Sequence, residues 1–66
     1  MELMVNGVPR AVPEGATVAD AVAVVTAQTR GLAVAVNGEV VPRAAWPTAR
    51  LCAGDRVEVL TAAQGG

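Results

Sequence analysis

A chain of 66 residues with formal net charge -1 and a pI near 5.1 is a single domain, and it lacks the basic stripe that nucleic-acid binding requires. No apolar run approaches membrane-spanning length. The opening MELMVNG has no basic segment ahead of an apolar one, so neither a membrane span nor a signal peptide is expected. The one cysteine excludes an internal disulfide, and together these features point to the cytoplasm.

Residues 2–12, ELMVNGVPRAV, have the pattern of a β-hairpin. Asn6-Gly7 suits a type I′ turn, whose two central positions both need positive φ. Leu3 and Val5 alternate with Glu2 and Met4, the period of a half-buried strand. Pro9 cannot donate a ladder hydrogen bond, which assigns the return strand to a sheet edge. Pro13-Glu14-Gly15 closes the hairpin with turn chemistry.

Thr17 opens a helix. Thr17 at the N-cap and Asp20 three positions later form a capping box. Val18, Val22 and Val25 follow at i, i+4 and i+7, and Ala21 widens the apolar stripe. Valine and threonine are mediocre helix formers, but the cap and the spacing outweigh propensity. Arg30 in or near the last turn and Gly31 as a left-handed stop are the expected C-terminal signals.

Residues 32–41, LAVAVNGEVV, give two short strands about a second Asn-Gly pair, Asn37-Gly38. The segment 42–50, PRAAWPTAR, carries two prolines and is expected to be irregular or a short 3₁₀ turn. Ala53-Gly54-Asp55 is a further turn. The last strand is RVEVLT, 56–61, with Val57 and Val59 on one face and Glu58 and Leu60 on the other. The order ββαβ(β)β allows the first and last strands to pair in parallel, with one helix covering one face of a mixed sheet. That is an α+β fold of the β-grasp, ubiquitin-like type. Its core must be built from Val, Ala and a few Leu, since Trp46 is the sole aromatic residue. A domain this small buries only about 60% of its unfolded surface, so modest stability is expected.

The body offers little chemistry. There is no histidine, the commonest general base, and a lone cysteine cannot make a structural zinc site, so no metal is expected. Cys52 as a reactive thiol competes with Cys52 as a small apolar filler beside Leu51. Filler is the commoner role, and of the groups that could activate a thiol only Arg50 and Arg56 are close in sequence. Asp20 is explained by the cap. Asp55 and Glu58 are most simply solvated turn and strand charges. Trp46 is expected to plug one end of the sheet rather than anchor a partner. Arg43 is left open between a partner contact and surface pairing.

The terminus remains. Residues 62–66, AAQGG, follow the last strand directly, so 1–61 form the domain and 62–66 a flexible tail. The Gly66 carboxylate is an anion at neutral pH and becomes acylating only once a leaving group replaces an oxygen. ATP supplies such a group as an acyl-adenylate. Glycines without Cβ can thread a narrow channel, and five extended residues reach roughly 17 Å. The competing reading is a frayed end or a cloning scar.

Several stretches, in this order and within this length, resemble the ThiS family of sulfur carriers of thiamin biosynthesis. They are the opening VNG hairpin, TVADAV, AVAVNGEVVPRAAW, AGDRVEVL and the terminal QGG. Pro42-Arg43 followed by Trp46, after the strand with Asn37-Gly38, is the most discriminating piece. The resemblance implies a carrier rather than an enzyme. A partner related to ubiquitin-activating enzymes adenylates Gly66 using ATP. A persulfide sulfur donor displaces AMP and leaves a Gly66 thiocarboxylate. Thiazole synthase accepts that sulfur while building the thiazole ring. On this reading Gln64 and Gly65 thread the partner's active site, and the chain binds no cofactor and is monomeric when free. Leu60, Met4 and Glu58, beside Glu2 on the sheet face away from the helix, are the candidate docking surface. The alternatives are the related molybdopterin-type carrier and a ubiquitin-like modifier. The absence of lysine excludes isopeptide chains between copies.

Overall fold

Local turn chemistry and one buried face organise the chain. The structure, a computed structural model, describes residues 1–27 and 30–61. Strands β1 (Glu2–Val5) and β2 (Val8–Ala11) form the first hairpin. Asn6 and Gly7 sit at φ of 51° and 79°, the two positive angles that a type I′ turn demands. Strands β3 (Leu32–Val36) and β4 (Glu39–Val41) repeat the device about Asn37 and Gly38, at 51° and 86°. Strand β5 (Arg56–Thr61) completes a five-stranded sheet of order β2-β1-β5-β3-β4. β1 and β5 run parallel, and the other pairs are antiparallel. β2, with Pro9, is an edge strand, as its missing donor requires.

Helix α1 (Val18–Val25) packs on one face of this sheet. Its capping box is formed in both directions: the Asp20 N–H donates to Thr17 Oγ1 at 3.3 Å, and the Thr17 N–H donates to Asp20 Oδ2 at 2.9 Å. Val18, Ala21 and Val22 are buried against Leu3 and Val5 of β1, Val34 of β3, and Val57 and Val59 of β5. Val25, the third valine of the stripe, is only partly buried.

The helix is shorter than its C-terminal signals suggest. It stops after eight residues at Val25, and Thr26 is extended at φ -154°, ψ 149°. Arg30 therefore lies outside the last turn, which holds no basic residue. Gly31 does adopt a positive φ of 67°, but it does so in the connection to β3. The physical reason is the run Val24-Val25-Thr26. Three consecutive β-branched residues lose rotamer freedom against the preceding turn, and together they tip the segment to extended backbone.

Between β4 and β5 the chain makes a 3₁₀ turn at Arg43–Ala45 and then passes alongside α1. Trp46 follows the turn and is 7% exposed. Its Nε1–H donates to the Val41 carbonyl at 2.9 Å, and its own carbonyl accepts the Ala19 N–H at 3.1 Å. Trp46 thus ties the end of β4 to the start of the helix and fills the core between them, the packing role expected of it. The Arg43 guanidinium carbon lies 5.3 Å from the centroid of its ring. Leu51, Ala16 and Val12 complete the core near the helix N-terminus.

Candidate functional site

Strand β5 is the central strand of the sheet. Its last described residue, Thr61, pairs with Leu32 at the start of β3. Gln64, Gly65 and Gly66, and with them the boundary of the tail, lie outside the described residues.

The sheet face opposite α1 is built by strand alternation. Val57 and Val59 face the helix and are buried, whereas Arg56, Glu58 and Leu60 point the other way and are exposed. Leu60 is 58% exposed, a high figure for a leucine on a central strand. Glu2 is exposed on the same face and Met4 is half-buried. The register sets Met4 beside Arg56 and Leu60 beside Ala33. Met4 and Leu60 therefore share a face but stand about 13 Å apart, four residues along the strand direction, with Glu58 between them. Met4, Arg56 and Glu58 line a shallow depression of about 280 Å³, with Gly7 and Gly38 at its rim.

The apolar neighbours of Leu60 come from the other side of β5. Ala33 pairs with Leu60, Ala35 with Glu58, and Val40 with Ala35. Val40 is 76% exposed, more than any other large apolar side chain described. Sequence reasoning missed Val40. The signal was present, since a type I′ turn at Asn37-Gly38 sets Ala35 opposite Val40, and Ala35 faces away from the helix if Val34 faces it.

Two of the acidic and sulfur-bearing candidates are corrected by the geometry. Cys52 is not an apolar filler: Leu51 is buried at 5%, and Cys52 next to it is exposed with a free thiol. The turn dictates this, because the Cys52 N–H donates to Asp55 Oδ2 at 2.8 Å and the backbone then turns the Cys52 side chain outward. Asp55 is accordingly more than a solvated turn charge. It is half-buried, its Oδ1 also accepts from Asn37 Nδ2 at 3.1 Å, and its carbonyl accepts the Met4 N–H at 3.0 Å. It joins three segments at the start of β5. Glu58 remains an exposed strand charge and Asp20 a helix cap. Among the described residues no three His, Cys, Asp or Glu side chains cluster to hold a metal ion.

A second residue that sequence reasoning missed is Asn6. β1 ends at Val5, opposite Val57, while β5 continues for four residues. The Asn6 side chain bridges part of that gap: Nδ2 donates to the Val59 carbonyl at 3.1 Å, and the Val59 N–H donates to Oδ1 at 2.8 Å. No short-range signal reveals this contact, which spans 53 positions in sequence.

Comparison with known proteins agrees with this arrangement. The model of the ThiS family matches residues 3–66, through the Gly-Gly end. A crystal structure of the thiamine biosynthesis protein (ThiS) from Geobacter metallireducens superposes with a TM-score of 0.80 at 38% identity, covering 92% of this chain and 93% of that one. A search of the curated proteins gave no match. A family match over nearly the whole chain, with a solved relative of the same fold at this identity, establishes that the chain belongs to the ThiS family.

Proposed function

We propose that the chain is the sulfur carrier of thiamin biosynthesis and that its reactive group is the carboxylate of Gly66. The observation that carries this reading is the family match, which extends from β1 to Gly66 itself. The similarity to a thiamine biosynthesis protein favours the thiamin pathway over the molybdopterin-type carrier.

The chemistry follows from the end of β5. A carboxylate anion resists attack by nucleophiles, so it needs activation. An adenylating partner joins it to the α-phosphate of ATP and releases pyrophosphate. The outer sulfur of a persulfide then attacks the Gly66 carbonyl and AMP leaves. Cleavage of the persulfide S–S bond by a thiol, which supplies two electrons, leaves a thiocarboxylate at Gly66. Thiazole synthase takes that sulfur, and Gly66 returns to an ordinary carboxylate.

The division of labour is physical. Residues 62–66 span roughly 17 Å when extended, enough to enter a buried site while the domain docks outside. Gln64 and Gly65 pass through the channel, and glycine lets the last two residues take backbone angles closed to other residues. Docking falls to the open sheet face. Leu60 is its exposed apolar centre, Val40 extends it, and Met4 and Glu58 flank it. The chain acts as a co-substrate of its partners, as a cytoplasmic monomer when free, and ATP binds to the activating enzyme. Removing Gly66 tests this reading. Activation-dependent exchange of pyrophosphate into ATP should vanish while the domain stays folded; a truncated chain that still supports exchange contradicts it.

A further inference from the structure

We propose that Asn6 is a positioning residue for the docking face: its side-chain amide stands in for a missing residue of β1 and holds the last stretch of β5, and hence Leu60, in place. The inference rests on the carrier reading above.

A primary amide carries a donor and an acceptor side by side, as a peptide unit does. Asn6 uses both on one residue, at 3.1 Å and 2.8 Å to the Val59 carbonyl and N–H, after its own N–H has donated to the Val57 carbonyl at 2.9 Å. Strand alternation turns the backbone groups of Val57 and Val59 toward β1 and those of Glu58 and Leu60 toward β3. β3 therefore cannot hold Val59, and the Asn6 amide does. The requirement is narrow. Position 6 needs a residue tolerant of φ 51° and an amide of this length. Glycine meets the first condition alone. Aspartate meets the first but has no donor for the Val59 carbonyl. Glutamine is one methylene too long.

The second hairpin supplies an internal control. Asn37, also at φ 51°, grips β5 from the opposite side: its N–H donates to the Arg56 carbonyl at 2.8 Å, and its Oδ1 accepts the Arg56 N–H at 3.0 Å. Both side-chain amides accept a backbone N–H of the same strand, but the Asn37 Nδ2 donates to the Asp55 carboxylate where that of Asn6 donates to the Val59 carbonyl. Asn37 holds the beginning of β5 at Arg56, four residues before Leu60, and Asn6 holds the strand at Val59, next to Leu60. When the Asn6 grip is lost, β5 beyond Val57 is held on one edge only, by its pairing with β3 at Ala33–Leu60 and Leu32–Thr61, and its end frays more often. Leu60 then leaves the docking face part of the time. Once Gly66 is seated in the partner the chemistry is unchanged, so the effect falls on KM.

The test compares Asn6→Gly, Asn6→Asp and Asn37→Gly in the full chain. Two readouts are taken: amide hydrogen exchange of the carrier alone, and the KM and kcat for its adenylation by the activating enzyme. Glycine keeps the turn at either position, so all three variants should fold. Asn6→Gly should exchange the Val59 amide about tenfold faster, and Asn6→Asp, whose carboxylate still accepts the Val59 N–H, should fall between glycine and the parent. The carrier KM of Asn6→Gly should rise about fivefold with kcat within about twofold, since a displaced Leu60 lowers productive encounters. Asn37→Gly should speed exchange at Arg56 and leave KM unchanged. An equal KM rise in Asn37→Gly, or fast Val59 exchange with an unchanged KM, overturns the positioning role and leaves the carrier reading intact. A parent chain that is not adenylated at Gly66 overturns the carrier reading and the positioning role with it.

Discussion

Replacing Trp46 by alanine should nearly exhaust the stability of this domain. Trp46 is 7% exposed, packs against the core, and satisfies the Val41 carbonyl with its Nε1–H. A buried tryptophan removes roughly 150–250 Å² from water, which at ~25 cal/mol per Å² amounts to about 4–6 kcal/mol. Measured truncations of buried aromatic residues cost about 3–5 kcal/mol, because the site collapses in part. A chain of 66 residues has a total stability of roughly 3–10 kcal/mol, so the loss is of the same order. Trp46→Phe separates the two contributions. It keeps most of the ring area and gives up the hydrogen bond to Val41, and should cost about 1–2 kcal/mol. The assay is urea unfolding followed by far-ultraviolet circular dichroism, since Trp46 is the only tryptophan and its fluorescence disappears with it. A loss below about 1 kcal/mol in Trp46→Ala would refute the packing role and return Trp46 to the class of partner anchors.

Thr17→Ala should cost about 1 kcal/mol in the same unfolding assay, the usual value of an N-cap, with no change in adenylation kinetics at a temperature where the domain is folded. Leu60→Arg and Val40→Arg lie on exposed positions and should shift stability by no more than about 0.5 kcal/mol. Each should raise the KM for the activating enzyme by about fivefold or more; an unchanged KM in both would remove the open sheet face from the docking model. Cys52→Ser should load sulfur at the parent rate, and a loss of loading would assign Cys52 a part in the transfer.

Much of this fold is legible in the sequence because its determinants are local. Asn-Gly can hardly be anything but a type I′ turn between two alternating strands, and both copies are. Thr17 and Asp20 announce the helix start within four residues. Pro9 names an edge strand by what it lacks. The helix end was less clear. Arg30 and Gly31 give the usual stop signals, yet the β-branched run at Val24-Val25-Thr26 ends the helix first, and a competition between weak propensities is not settled by pattern. Exposure in turns was also hidden. Cys52 resembles its buried neighbour Leu51 in character, and the Asp55 carboxylate that turns it outward acts through tertiary geometry. The site divides the same way. The exposure of Leu60 is legible by strand parity, whereas Gly66 lies outside the described residues. Val40 required the register of a second hairpin, and Asn6 a contact 53 positions away, masked by the sufficient explanation that its turn already provided.

The central claim is that sulfur rides on the backbone terminus and on no side chain. The direct measurement is the fragment mass spectrum of the full chain after incubation with ATP, the activating enzyme and a persulfide donor. The account predicts one oxygen-to-sulfur exchange, confined to the fragment that ends in Gly66 and dependent on ATP. Sulfur on the fragment containing Cys52, or its appearance without ATP, would contradict it.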